Sequence, residues 1–163
     1  MASGNTLIVF TPNGAEFPAS DYATLDTRNN HPCLDFDTTT AETAYWTAVM
    51  PQSYSDTTGV TVYVHWAATS ATSGTIGWLI AFERDADGSS VTSDDFASNQ
   101  TITAATVPGT AGILDVTSVA ITKGANMDSV VAGDMFRLQI QRDVSNDTAS
   151  GDAEVYAVEI RET

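Results

Sequence analysis

Hydrophobic and polar residues alternate with a period of two along much of this chain. The stretches GVTVYVHW (59–66) and TIGWLIAF (75–82) both place apolar side chains at every even-numbered position. This alternation is typical of β-strands with one buried face. If Trp66 lies opposite Ile76, one register aligns every apolar pair, so the pattern predicts an antiparallel hairpin around the loop 67–75.

The same alternation returns near the end of the sequence. MFRLQIQR (135–142) and AEVYAVEIRE (153–162) predict a second antiparallel pair, joined by the polar loop 143–152. Further predicted strands cover residues 5–10, 33–37, 43–50, 99–107 and 113–122. The pattern as a whole predicts an all-β fold, a jelly-roll-like antiparallel sandwich of two sheets with about eight or nine strands.

The parity of each strand divides its side chains into a buried set and an outward set. The predicted core residues are Trp66, Trp78, Phe82, Phe136 and Tyr156. The outward stripe Thr61, Tyr63 and His65 is the leading predicted contact surface, because an aromatic ring beside a hydrogen-bonding imidazole suits a sugar or a neighbouring protein. Other aromatic side chains that could make contacts are Tyr45, Tyr54, Phe17 and Tyr22.

The N-terminal region differs from the strands. At 163 residues the chain is predicted to form a single domain, 1–163, in which residues 1–32 include an extended N-terminal arm or a covering loop. Segment 11–32 contains three prolines and several turn-forming residues. A loop of that length must lie on a surface, either of its own sandwich or of a neighbouring subunit.

The charge of the chain excludes some classes of partner. There are 21 acidic and six basic residues, which gives a formal net charge of −15. Such a surface repels phosphate, so we expect no nucleic acid partner. No apolar run approaches the ~20 residues that cross a bilayer, and the start lacks a signal peptide, so we expect no membrane association and synthesis in a cytoplasm. The single Cys33 forms no internal disulfide.

The sequence carries no catalytic signature. Two histidines and one cysteine give no zinc spacing, and there is no Gly-rich phosphate loop, nucleophile elbow or triad, so we predict a non-enzymatic protein without a cofactor. One acidic segment could bind Ca²⁺, through Asp85, Asp87, Asp94 and Asp95. Ser89 occupies a ligand position there and no glutamate closes the loop, so the alternative is a solvated acidic loop.

One arginine falls on the buried side of its strand. Arg142 shares the parity of Phe136, and Glu154 starts the predicted facing strand. An arginine at the edge of a core needs a carboxylate or carbonyl partner, so we predict an Arg142–Glu154 ion pair, with two solvated charges as the alternative.

The strand ends resemble those of a viral family. Over roughly its last hundred residues, the chain is similar to uncharacterised β-sandwich proteins and C-terminal domains encoded among the virion structural genes of tailed bacteriophages. The residues that carry this resemblance are His65, Trp66, Gly74, Trp78, Arg142, Asp143, Gly151, Asp152 and Ala153.

The resemblance implies a virion structural protein, foremost a capsid decoration (cement) protein that binds and stabilises a phage protein lattice. Its partners would be other virion proteins of the capsid or tail, its location the virion, and its state a homo-oligomer, with a trimer expected. The alternatives are a receptor-binding tail-fibre or tail-spike domain and a carbohydrate-binding module of the same fold.

Overall fold

The computed structural model describes residues 4–163, and this part of the chain forms ten strands and two short 3-10 turns. The strands are β1 Thr6–Phe10, β2 Thr24–Arg28, β3 His31–Phe36, β4 Thr43–Val49, β5 Gly59–Ala68, β6 Thr75–Asp85, β7 Gln100–Thr106, β8 Asp115–Thr122, β9 Met135–Arg142 and β10 Ala153–Glu162. The 3-10 turns are Pro12–Gly14 and Ala125–Met127. The predicted fold class, an all-β, jelly-roll-like sandwich of two antiparallel sheets, is confirmed.

The two sheets differ in size. The six-stranded sheet has the order β2-β3-β10-β5-β8, with β1 also paired to β10, and the four-stranded sheet has the order β4-β9-β6-β7. β5 pairs with one edge of β10 along its length. The other edge of β10 pairs first with β3 and then with β1. β3 pairs with residues 153–155 of β10 and β1 with residues 158–161, which leaves Tyr156 at the gap between them.

The predicted hairpins are wrong, because both predicted pairs divide between the two sheets. β5 belongs to the six-stranded sheet and β6 to the four-stranded sheet, and β9 and β10 are separated in the same way. Alternation specifies which face of a strand is buried, and two strands that face each other across a core satisfy it as well as two neighbours do. Trp66 and Trp78 accordingly meet edge to face across the core, with ring centroids 6.4 Å apart.

The core contains most of the side chains assigned to it. Trp66, Trp78, Phe82 and Phe136 are all fully buried between the sheets. Tyr156 is not, and its assignment to the core is wrong. A β-bulge in β10 sets Val155 opposite Trp66 and Ala157 opposite His65, so the extra residue reverses the parity and leaves Tyr156 half-buried on the outer side of the sheet.

The N-terminal arm covers its own sandwich. Glu16 and Tyr45 exchange backbone hydrogen bonds of 2.8 and 2.9 Å, and the amide of Ala23 donates to the carbonyl of Thr43 at 3.1 Å. The arm thereby pairs the β4 edge of the four-stranded sheet, which would otherwise be open. Within the predicted range 1–32, residues 6–10, 24–28 and 31–32 belong to strands, and residues 1–3 lie outside the described residues.

The predicted Arg142–Glu154 ion pair is also wrong. Arg142 is fully buried, and its Nε donates to Asp147 Oδ2 at 2.6 Å. Its Nη1 donates to the backbone carbonyls of Phe36 and Gly151. Glu154 lies in the six-stranded sheet, opposite Ala67, and its side chain points to the outer side of that sheet. The side chains of Arg142 and Glu154 therefore do not meet.

Candidate functional site

A groove crosses the outer side of the six-stranded sheet beside the gap between β1 and β3. It consists of two cavities, of about 500 Å³ and about 360 Å³. The larger is lined by Arg28, Asn29, His31, Gly112, Leu114 and Tyr156, and the smaller by Thr11, Pro12, Asn13, His31, Pro32 and Tyr156. Since His31 and Tyr156 line both cavities, the two meet at these side chains. We call the whole the Tyr156 groove.

The ring of Tyr156 is held in place by hydrogen bonds. Its hydroxyl donates to Glu154 Oε2 at 2.7 Å, and Arg28 Nη1 donates to the same oxygen at 2.8 Å. Arg28 Nη2 also donates to the carbonyl of Thr69 at 2.9 Å. Burial and then the Glu154 carboxylate raise the pKa of Tyr156 above its usual range, so the hydroxyl stays a donor. The ring therefore stands in the groove in one orientation before any ligand arrives.

His31 is positioned by the turn between β2 and β3. Asn29 and Asn30 have φ values of 48° and 65°, as a two-residue type I′ hairpin turn requires. The His31 Nδ1 lies 3.1 Å from the carbonyl oxygen of Asn29. A neutral imidazole therefore carries its proton on Nδ1, which leaves Nε2 as an acceptor for a ligand hydroxyl.

A glycine brings the far wall of the groove close to Arg28. Gly112 has a φ of 75°, and a Cβ at this position would lie 2.9 Å from Arg28 Cζ. Both its backbone conformation and this close approach therefore favour glycine. The next residues of the loop place Leu114, which is 54% exposed, at the rim.

Several carboxylates lie close to Glu154, the residue that accepts the hydrogen bond of the Tyr156 hydroxyl. Asp35 lies directly opposite Glu154 in the β3–β10 register. Burial raises the pKa of Asp35 to about 6, and the neighbouring Asp152, Glu154 and Asp26 carboxylates contribute in the same direction. A raised carboxyl pKa means that the folded protein favours the protonated form.

This shift predicts a pH-dependent effect of Asp35→Asn. Because the folded state holds the Asp35 proton more tightly than the unfolded state does, protonation adds to the free energy of unfolding. This gain is fully present below the ordinary pKa of 3.8 and is lost as the pH rises through about 6. The asparagine imitates the protonated form, so the variant should unfold at a higher temperature than wild type at about pH 8, with the gain absent at about pH 4. Thermal unfolding followed by circular dichroism at both pH values measures this. The exposed Asp87→Asn serves as the control, and an equal gain for Asp35→Asn at both pH values would contradict the prediction.

Neither a protein-family model nor a curated protein matches this chain, but solved structures do. A family 35 carbohydrate-binding module from Clostridium thermocellum has a TM-score of 0.57 at 8% identity, over 98% of this chain and 100% of that one. The CBM35 from Cellvibrio japonicus Abf62 has a TM-score of 0.52 at 10% identity, over 95% and 92%. These likenesses establish the fold.

A third similar structure contains a catalytic module as well. It holds the CBM22-1 and GH10 modules of the Clostridium thermocellum endo-1,4-β-D-xylanase 10B, complexed with xylohexaose. The TM-score is 0.50 at 15% identity, over 99% of this chain and 28% of that one.

The predicted stripe Thr61, Tyr63 and His65 faces outward on the same sheet as the groove but lines neither of its cavities. The guanidinium of Arg161 covers the Tyr63 ring, 4.1 Å from its centroid. His65 Nε2 lies 3.7 Å from a Glu159 carboxylate oxygen. Tyr63 and His65 therefore contact side chains of the neighbouring strand β10. The use of this stripe in binding stays a prediction.

The remaining predicted contact residues divide into buried and exposed pairs. Tyr45 and Tyr54 are buried, so their assignment to a contact surface is wrong. Tyr45 stacks on Phe96 with centroids 5.3 Å apart, and the Tyr54 hydroxyl lies 3.7 Å from Met127 Sδ. Phe17 and Tyr22, in the arm, are 42% and 47% exposed and pack against each other.

The acidic segment is used for internal contacts. Across residues 4–163 the structure gathers no set of three or more His, Cys, Asp or Glu side chains that could hold a metal ion. The predicted calcium ligands Asp85, Asp87, Asp94 and Asp95 are therefore not brought together. Asp94 instead accepts a hydrogen bond from Arg137 Nη1 at 2.6 Å, and the Asp95 amide donates to Glu83.

The described residues, 4–163, contain helical structure only as short turns. Among them, no helical segment has the length and hydrophobicity of a membrane-spanning helix.

The sequence pattern did not predict the Tyr156 groove. The alternation predicts Tyr156 in the core, and the prolines and turn-forming residues of segment 11–32 predict a long loop that contains Asn29 and His31. The pair Asn29-Asn30 is a hairpin signal that could have placed β2, β3 and His31. No local signal marks the bulge at Tyr156, or the approach of Gly112 to Arg28.

Proposed function

We propose that this protein is a non-enzymatic carbohydrate-binding β-sandwich that holds a glycan in the Tyr156 groove. The observation that carries this proposal is the fixed Tyr156 ring at the junction of two cavities. Sugar rings present C–H groups on their faces and hydroxyls around their edges. An immobilised aromatic ring with polar groups beside it matches both.

The polar groups of the groove suit hydroxyl recognition. His31 Nε2 can accept a hydrogen bond from a sugar hydroxyl, and the exposed Asn29 side chain can both donate and accept hydrogen bonds. The similar folds that are carbohydrate-binding modules by name support the same proposal.

The carboxylates near the groove support binding without catalysis. Glycoside hydrolysis needs two carboxyl groups on either side of the bond that is broken. Asp35 and Glu154 lie opposite each other on neighbouring strands, but neither lines either cavity, and Glu154 accepts hydrogen bonds from both Arg28 and Tyr156. A bound glycan would therefore lie against the Tyr156 ring rather than between two reactive carboxyl groups.

A virion structural protein that decorates a phage capsid is the second proposal. One feature of the surface favours it: Ile113, Leu114 and Val116 are 52%, 54% and 45% exposed at the start of the edge strand β8. Exposed apolar side chains grouped in this way suit a protein partner. A receptor-binding tail-fibre domain is less favoured, because Tyr45 and Tyr54 are buried.

Affinity electrophoresis in native gels tests the first proposal. We expect the protein to migrate more slowly in gels that contain xylan, mixed-linkage β-glucan, galactomannan or glycol chitin than in a gel without polymer, with an unrelated acidic protein as control. Normal migration in every polymer would contradict carbohydrate binding.

Light scattering tests the second proposal, for which we expect a stable homo-oligomer. A monomer at all concentrations would count against it.

A further inference from the structure

The two cavities of the Tyr156 groove adjoin at His31 and Tyr156, the two side chains that line both. Leu114 lines only the larger cavity and Asn13 only the smaller one, and both side chains are exposed. Each cavity alone falls within the size range of small-molecule sites, which is roughly 300–1,000 Å³. A single sugar ring would therefore use only part of the groove, whereas a chain could cross from one cavity to the other over His31 and Tyr156.

The charges of the groove disfavour an anionic ligand. Among the described residues that line it, Arg28 is the only side chain with a permanent positive charge. Its Nη1 is engaged by Glu154 and by the Ala68 carbonyl, and its Nη2 by the Thr69 carbonyl. Asp35 lies opposite Glu154, the Asp26 and Asp152 carboxylates are close to Asp35, and the chain as a whole carries a net charge of −15. A carboxylate or sulfate on a sugar would meet repulsion with no unpaired cation to offset it.

We infer that the ligand is an uncharged glycan chain, bound along its length across both cavities rather than by one terminal sugar. This inference rests on the proposed function and goes further, because it assigns the ligand's charge, its minimum extent and its path. The chain enters beside Leu114, crosses the Tyr156 ring and leaves beside Asn13.

Calorimetric titration with oligosaccharide ladders tests the length and the charge. The probes are xylo-, cello-, manno- and N-acetylchito-oligosaccharides of two to six units, with oligogalacturonides of equal lengths as charged counterparts. For the uncharged series that binds, we expect the affinity to rise about tenfold or more between two and four units, a gain of about 1.4 kcal/mol. Oligogalacturonides should bind at least about tenfold more weakly at low salt, where repulsion is least screened.

Equal affinity for a disaccharide and a hexasaccharide would overturn the assigned path, and tighter binding of oligogalacturonides would overturn the assigned charge. Either result leaves glycan binding itself intact. Failure of every oligosaccharide and every polymer to bind would instead contradict the proposed function, so the two failures are distinguishable.

Substitutions at the two ends locate the chain within the groove. Leu114→Ala and Asn13→Ala change exposed side chains, so the fold should persist. We expect each to weaken hexasaccharide binding about threefold to tenfold, with little effect on a disaccharide held at Tyr156. The matched controls Val116→Ala and Asn5→Ala change exposed residues that do not line the groove. Hexasaccharide affinity that is unchanged in both end variants, or lost equally in the controls, would overturn the path.

Discussion

Replacing Arg142 by methionine is expected to lower the free energy of unfolding by about 3–5 kcal/mol. The Arg142 side chain is fully buried, and its partner Asp147 is only 3% exposed. Without the guanidinium, the Asp147 carboxylate keeps the Gly77 amide as a donor but loses its opposite charge. The carbonyls of Phe36 and Gly151 lose a donor at the same time. Urea unfolding at neutral pH measures the difference.

Two comparisons separate this effect from ordinary loss of a side chain. Arg142→Met combined with Asp147→Leu removes both buried charges, so it should recover much of the lost stability. Arg84→Met breaks an ion pair with Asp134 in which the arginine is 36% exposed, so a much smaller loss of stability is expected there. If Arg142→Met destabilises the protein no more than Arg84→Met does, the assigned role of the buried pair is wrong.

Replacing Tyr156 by alanine is expected to weaken glycan binding at least about tenfold, because it removes the aromatic surface shared by both cavities. Tyr156→Phe keeps the ring and loses only the hydrogen bond to Glu154, so a smaller loss is expected. Titration calorimetry with an uncharged hexasaccharide that binds the wild-type protein measures both variants.

The matched control for this prediction is Tyr63→Ala. Tyr63 is also a half-buried tyrosine on the outer side of the six-stranded sheet, but it lies under Arg161 and lines neither cavity. Its removal should leave the affinity unchanged. A larger loss for Tyr63→Ala than for Tyr156→Ala would place the glycan on the stripe of Thr61, Tyr63 and His65 instead.

The sequence pattern predicted burial well and strand pairing poorly. Val60 to Trp66 and Ile76 to Phe82 alternate as a paired hairpin would, and all their even-numbered side chains are buried. The alternation contains no information about whether the partner strand lies beside or across the core. Pairing here depends on the loop 69–74, which leads the chain from one sheet to the other.

The site was harder to predict than the fold, because it is assembled from distant residues. Arg28 and Glu154 are 126 positions apart, and the bulge that turns Tyr156 outward depends on its pairing with β5. Parity alone assigns Tyr156 to the core. The hairpin turn at Asn29-Asn30 is the one part of the groove that a local sequence pattern indicates.

The two histidines of the chain permit the most direct test of glycan binding in the Tyr156 groove. His31 lines both cavities and His65 lines neither, so their imidazole proton signals report on the groove and on the neighbouring stripe. During titration with an uncharged xylo-, cello-, manno- or N-acetylchito-hexasaccharide, the groove proposal predicts that the His31 signals shift and saturate while the His65 signals stay in place. Signals of His65 that shift while those of His31 do not would contradict it, as would the absence of any shift with all four sugars.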